Sequence, residues 1–125
     1  MDLYATFPGP VKAVFGHLAD PSRLGDWLPD ISAADPGPID GAGADFPLTA
    51  AVDGAEVAGS GEVTAFEPPW LVGYRLFIGS RMLGLRVTCA TQDGGTRIHV
   101  HQPDHADPLT IDLARLSRAL GLAAG

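Results

Sequence analysis

Lysine is almost absent from this chain. Lys12 is the only one, and the full basic complement is 8 Lys and Arg against 15 Asp and Glu, for a formal charge of −7. Nucleic acids and anionic membranes are held by clustered cations that displace counterions, so neither partner is expected. Cys89 is the only cysteine, which excludes an intramolecular disulfide and any multi-cysteine metal site. No stretch approaches the roughly 18 consecutive apolar residues that a membrane span requires. Met1-Asp2-Leu3-Tyr4 has no basic segment leading into an apolar run, so no secretory signal is read there and a cytoplasmic address is expected. A nucleotide loop is missing as well, since Gly41-Ala42-Gly43 lacks the flanking strand and helix.

What the chain does have is apolar substance. Hydrophobic residues make up 46% and charged residues 18% of 125, enough for one core and one domain over 1–125. Leu3 to Phe7 alternates apolar with polar and predicts a strand stopped by Pro8-Gly9-Pro10. Pro10 suits a helix start, and Val11, Val14, Phe15 and Leu18 follow at helical spacing. Asp20-Pro21 joins an N-cap to a proline and predicts a short helix carrying Leu24, Trp27 and Leu28, ended by Pro29. A short strand near Ile31, a loop dense in Gly and Pro over 36–43, and a strand from Phe46 to Val52 come next.

Asp53-Gly54 predicts a hairpin. Strands are then predicted at Glu62–Glu67, Trp70–Ile78, Arg81–Gln92 and Thr96–Gln102, separated by Pro68-Pro69, Gly79-Ser80 and Gly94-Gly95. Asp107-Pro108 repeats the cap-and-proline start. It predicts a last helix beginning near Pro108 and ending at about Leu122, with Leu109, Leu113, Leu116 and Leu120 in one stripe.

Three of these stretches together resemble the helix-grip superfamily known as SRPBCC, which includes START lipid-transfer domains, the birch-pollen allergen family and polyketide cyclase/dehydrases. Thr6-Phe7-Pro8-Gly9-Pro10-Val11-Lys12-Ala13-Val14-Phe15 is similar to its first strand and helix. Leu18-Ala19-Asp20-Pro21-Ser22-Arg23-Leu24-Gly25-Asp26-Trp27-Leu28-Pro29 resembles its helix-to-helix turn. Gly61-Glu62-Val63-Thr64-Ala65-Phe66-Glu67-Pro68-Pro69-Trp70-Leu71-Val72, with Gly94-Gly95-Thr96-Arg97-Ile98, resembles its central hairpins. The resemblance implies an α+β helix-grip fold, in which a curved antiparallel sheet of about six or seven strands wraps a C-terminal helix. Two short helices would follow the first strand, and the sheet and last helix would enclose an apolar cavity. Carriers, receptors and enzymes share this fold, so it implies no single activity.

Turn lengths give a register. A two-residue Gly79-Ser80 loop pairs Ile78 with Arg81, Leu76 with Leu83, Tyr74 with Leu85, Val72 with Val87 and Trp70 with Cys89, all on one face. A Pro68-Pro69 loop adds Val63 and Ala65 to that face, and a two-residue loop near Gly94 adds Ile98, Val100 and Gln102. The expected ligand contacts are therefore Trp70, Val72, Tyr74, Leu83, Leu85, Val87, Val100 and Gln102, with Trp27, Leu113 and Leu116 from the helices. Arg81 stands at the rim, its head in water or on an anion. Phe66, Leu71, Phe77 and Met82 fall on the outer face and offer a homodimer patch.

The chemistry of these residues reads two ways. Tyr74 is either a core tyrosine bonded to backbone or a donor to a ligand carbonyl. Trp27 and Trp70 either wall the cavity or plug it, with packing between short helix and sheet favoured for Trp27. Cys89 reads as a buried inert thiol, and Glu67 as an inward acid near Trp70 or a rim carboxylate. His99 and His101 share a face at metal-ligand spacing, but that face is outward and only the loop at His105 would supply a third ligand. No metal and no cofactor is expected. The reading is a binding or carrier module for a small hydrophobic or aromatic molecule. The alternative is a polyketide cyclase/dehydratase-like enzyme using the same cavity, with Tyr74, Arg81 and Gln102 as polar contacts.

Overall fold

The computed structural model describes residues 2–34, 41–103 and 111–124. His105, Asp107-Pro108, Leu109 and most of the 36–43 loop lie outside the described residues. The chain begins with β1 (Asp2–Pro8), α1 (Val11–Leu18) and a 3-10 helix (Pro21–Asp26). Six strands follow: β2 (Ile31–Ala34), β3 (Asp45–Val52), β4 (Ala55–Glu67), β5 (Leu71–Ile78), β6 (Arg81–Gln92) and β7 (Gly95–His101). Helix α2 (Leu113–Ala124) completes it. The strands form one seven-stranded antiparallel sheet ordered β1-β7-β6-β5-β4-β3-β2. This curled half-barrel with a C-terminal helix is the expected helix-grip architecture.

Local chemistry explains the turns. Asp53-Gly54 and Asp93-Gly94 both have positive φ at both positions (51° and 82°, 47° and 80°), the conformation that a two-residue hairpin matched to strand twist demands. Asp20 caps the 3-10 helix, its carboxylate accepting from the Ser22 N–H at 3.0 Å, while Pro21 supplies the first residue.

Strand β4 starts at Ala55, earlier than the predicted Glu62, because its Gly- and Ala-rich first half carries little hydrophobic alternation. Packing explains its glycines. A Cβ on Gly61 would collide with the Phe46 ring, and one on Gly59 with the Phe77 carbonyl.

The last helix corrects the expected start. Ile111 and Asp112 are described and non-helical, so the helix bearing Leu113 and Leu116 begins at Leu113 rather than near Pro108. Asp112 is the cap, its Oδ1 accepting from the Arg115 N–H at 2.9 Å. The Asp112 N–H also donates to the Trp27 carbonyl at 2.9 Å, tying the entry of α2 to the end of the 3-10 helix.

Candidate ligand-binding site

Alternation along the strands turns one set of side chains toward the helices. On β5, β6 and β7 these are Val72, Tyr74, Leu76, Leu83, Leu85, Val87, Ile98 and Val100, all buried. The β5–β6 register is the one a two-residue turn requires: Val72 meets Val87, Tyr74 meets Leu85, and Ile78 meets Arg81. Leu116 of α2 is fully buried in the same cluster, and Leu113 packs against it. Val72, Leu83, Leu85, Val87, Val100, Leu113 and Leu116 therefore share one apolar interior. Gln102, just past β7, is also buried. Arg81 is exposed at the β5–β6 turn, so its head lies outside that interior.

Three polar groups inside decide the chemistry. The Tyr74 hydroxyl donates to the Leu18 carbonyl at 2.8 Å, which joins the sheet to α1. Burial, with Asp20 as a smaller cause, pushes its pKa far above the usual phenolic value. Of the two readings of Tyr74, this bond is the one expected of a core tyrosine with a backbone partner. Burial likewise pushes the Cys89 thiol up to about 11, leaving it protonated at neutral pH. Trp27 is 0% exposed, and its indole Nε1–H has no hydrogen-bond partner among the described residues. A fully buried donor without an acceptor is rare, because it forfeits its water without replacement.

Two expectations about the β4–β5 hairpin change together. The loop holds three residues, Pro68 to Trp70, with Glu67 paired to Leu71 and the Trp70 N–H donating to the Glu67 carbonyl at 2.8 Å. Trp70 is consequently a turn residue, 50% exposed, and not a wall of the interior. A bulge between Val63 and Ala65, opposite Gly73, then restores the expected pairing of Val63 with Tyr74. Between turn and bulge the side chains of β4 are inverted, while those of β5 keep their expected faces. Ala65 pairs with Gly73 rather than Val72, and Phe66 pairs with Val72 and turns inward, its ring 5.9 Å from that of Phe15. Phe66 therefore leaves the expected dimer patch. Leu71, Phe77 and Met82 stay on the outer face, and Glu67 is an exposed rim carboxylate.

His17 was invisible to sequence reasoning, being one polar position on an apolar helix stripe. It is buried, with Nε2 2.9 Å from Asp26 Oδ2 and Nδ1 3.3 Å from Arg23 Nη1. A guanidinium only donates, so Nδ1 accepts and Nε2–H donates to Asp26. Both ring nitrogens are engaged, and the dyad straps α1 to the 3-10 helix. On the outer face the described residues form a cleft of about 360 Å³ lined by Thr64, Arg75, Met82, Arg86, His101 and Pro103 among others. At the neighbouring edge Asp2 stands against His99 and His101, correcting the expectation that only the His105 loop could supply a third ligand there.

No protein-family model and no curated protein matches the chain. Solved structures do. NE0264 from Nitrosomonas europaea has a TM-score of 0.71 at 14% identity, covering 98% of this chain and 94% of that one. DynU16, from the dynemicin biosynthetic locus, has a TM-score of 0.69 at 19% identity, over 98% of this chain and 47% of that one. Ara h 8.0201 has a TM-score of 0.64 at 17% identity, over 99% and 88%. Identities this low speak for fold alone. The chain has the helix-grip fold.

Proposed function

We propose that this protein is a binding or carrier module that holds a small hydrophobic or aromatic molecule between the inner face of the sheet and α2. The observation that carries the reading is the Trp27 Nε1–H, fully buried beside an apolar cluster and without a partner among the described residues. A ligand with one hydrogen-bond acceptor on an apolar body would satisfy it and contact Val72, Leu85, Val87, Val100, Leu113 and Leu116. Gln102 would be a second polar contact, and Arg81 would sit at the mouth toward an acidic substituent. No described helix is long and apolar enough to cross a membrane, and a cytoplasmic carrier suits the acidic, lysine-poor surface.

The enzyme reading has weaker support. DynU16 comes from a biosynthetic locus, which favours a cyclase or dehydratase-like role. General acid–base chemistry, however, needs a titratable group free to move a proton. Among the described residues the inner face carries no carboxylate and no imidazole, the Tyr74 hydroxyl is bonded to Leu18, and the Cys89 thiol is protonated.

Naphthalene and 2-acetylnaphthalene differ by one carbonyl and test the carrier reading. The parent protein should bind the ketone roughly three- to tenfold tighter, the worth of one hydrogen bond, and Trp27→Phe should erase that preference. No binding of either compound, together with no small molecule retained in native mass spectra, would reject it.

A further inference from the structure

Three ligating side chains meet at the β1–β7 edge, away from the interior. His99 and His101 lie two apart on β7 and project from its outer face. β1 runs beside them with Asp2 opposite His101 and Tyr4 opposite His99. That register brings the Asp2 carboxylate against both imidazoles, with Oδ1 2.7 Å from His99 Nε2 and 2.8 Å from His101 Nδ1. One ligand atom from each residue falls within 4.8 Å of the others. The His99 ring is held in place by Tyr4, stacked on it at 4.6 Å and 5°.

We propose that Asp2, His99 and His101 bind one divalent first-row transition ion on the outer face of the sheet. Two imidazole nitrogens and one carboxylate oxygen are a borderline donor set suited to zinc, nickel or copper, while calcium and magnesium demand oxygen cages. Metal–ligand bonds of about 2.0–2.2 Å need donors roughly 3–3.5 Å apart, so the two short contacts must open slightly. All three side chains are partly exposed and can rotate to do so. The ion takes the place of the protons that now bridge Asp2 to the histidines, and three protein donors leave positions for water. Arg86, opposite His101, and Arg97, 5.2 Å from the Tyr4 ring, oppose a cation here. Coordination rather than the local field therefore holds the ion, which again selects imidazole-seeking metals. Such an ion clasps the first strand to β7 and stabilises the sheet edge by mass action.

The test uses untagged full-length protein, stripped with chelator and titrated with Zn²⁺ and with Ni²⁺ by calorimetry. The parent should bind one ion per chain and gain Tm with added metal. Asp2→Asn should weaken binding by roughly tenfold or more, and His99→Ala with His101→Ala should abolish both binding and the Tm gain. His105→Ala should bind like the parent. In NMR spectra of the parent, Ni²⁺ should perturb signals of β1 and β7 first, a readout that stands even if a variant unfolds. An unresponsive parent, an unaffected Asp2→Asn, loss of binding in His105→Ala, or perturbation centred elsewhere would each overturn the proposal.

Discussion

The Tyr74 hydroxyl donates to the Leu18 backbone carbonyl across 2.8 Å, bonding the middle of β5 to the last residue of α1. Tyr74→Phe leaves that buried carbonyl without its donor while keeping the ring against Phe46, with which it makes an edge contact at 6.1 Å. Chemical denaturation should show a loss of about 1–2 kcal/mol. Binding of an apolar ligand should hardly change. The opposite pattern, full stability with lost binding, would return Tyr74 to the ligand site.

Gly61 lies under the Phe46 ring with no room for a methyl group. Gly61→Ala should destabilise the protein by about 1–3 kcal/mol through forced repacking. Pairing the change with Phe46→Leu should recover part of the loss. An additive double mutant, read from urea midpoints, would show that the two sites do not communicate.

The cap of α2 gives a third number. Asp112→Ala removes the acceptor for the Arg115 N–H and should cost about 0.5–2 kcal/mol. Asp112→Asn should lose much less, because its side-chain oxygen still accepts. Thermal unfolding of the pair against the parent checks this, and equal melting of all three would reject Asp112 as the cap.

Cys89 supplies the pH dependence. Burial raises its pKa from 9.0 to about 11, so the folded state holds the proton more tightly than the unfolded chain. Its contribution to stability is complete below pH 9 and fades as pH rises through about 11. Cys89→Ala should therefore flatten the alkaline limb of stability against pH. In the native parent at pH 8, a thiol reagent should react far more slowly than in urea. Prompt modification of the folded protein would show that the thiol is accessible.

Much of the fold was legible because turn chemistry is local. Gly79-Ser80 set the β5–β6 register, and parity alone then sorted Val72, Leu83, Leu85 and Val87 to one face. A two-residue loop near Gly94 did the same for Ile98 and Val100, although the loop is Asp93-Gly94 rather than the expected Gly94-Gly95, and β7 starts at Gly95. The β4–β5 hairpin was legible only beyond its bulge. Its loop is one residue longer than expected and the bulge at Thr64 compensates, so Val63 and Tyr74 pair as expected while Phe66 and Trp70 trade places between inside and outside. Nothing in Pro68-Pro69-Trp70 announces that third loop residue. The start of α2 was misplaced because Asp107-Pro108 and Asp112 are both plausible caps, and the bond from the Asp112 N–H to Trp27 accompanies the second.

From the sequence alone came most of the strands and the apolar inner face, since alternation and turn residues act over a few positions. Only the tertiary structure decided which polar groups find partners. Tyr74 reaches Leu18 across 56 positions and Asp2 reaches His99 across 97, while the indole of Trp27 reaches no acceptor among the described residues. Hydrogen bonding at that range depends on where the curled sheet sets each strand. The pairing of β1 with β7 that brings Asp2 to the histidines joins opposite ends of the chain, and no short-range pattern encodes it.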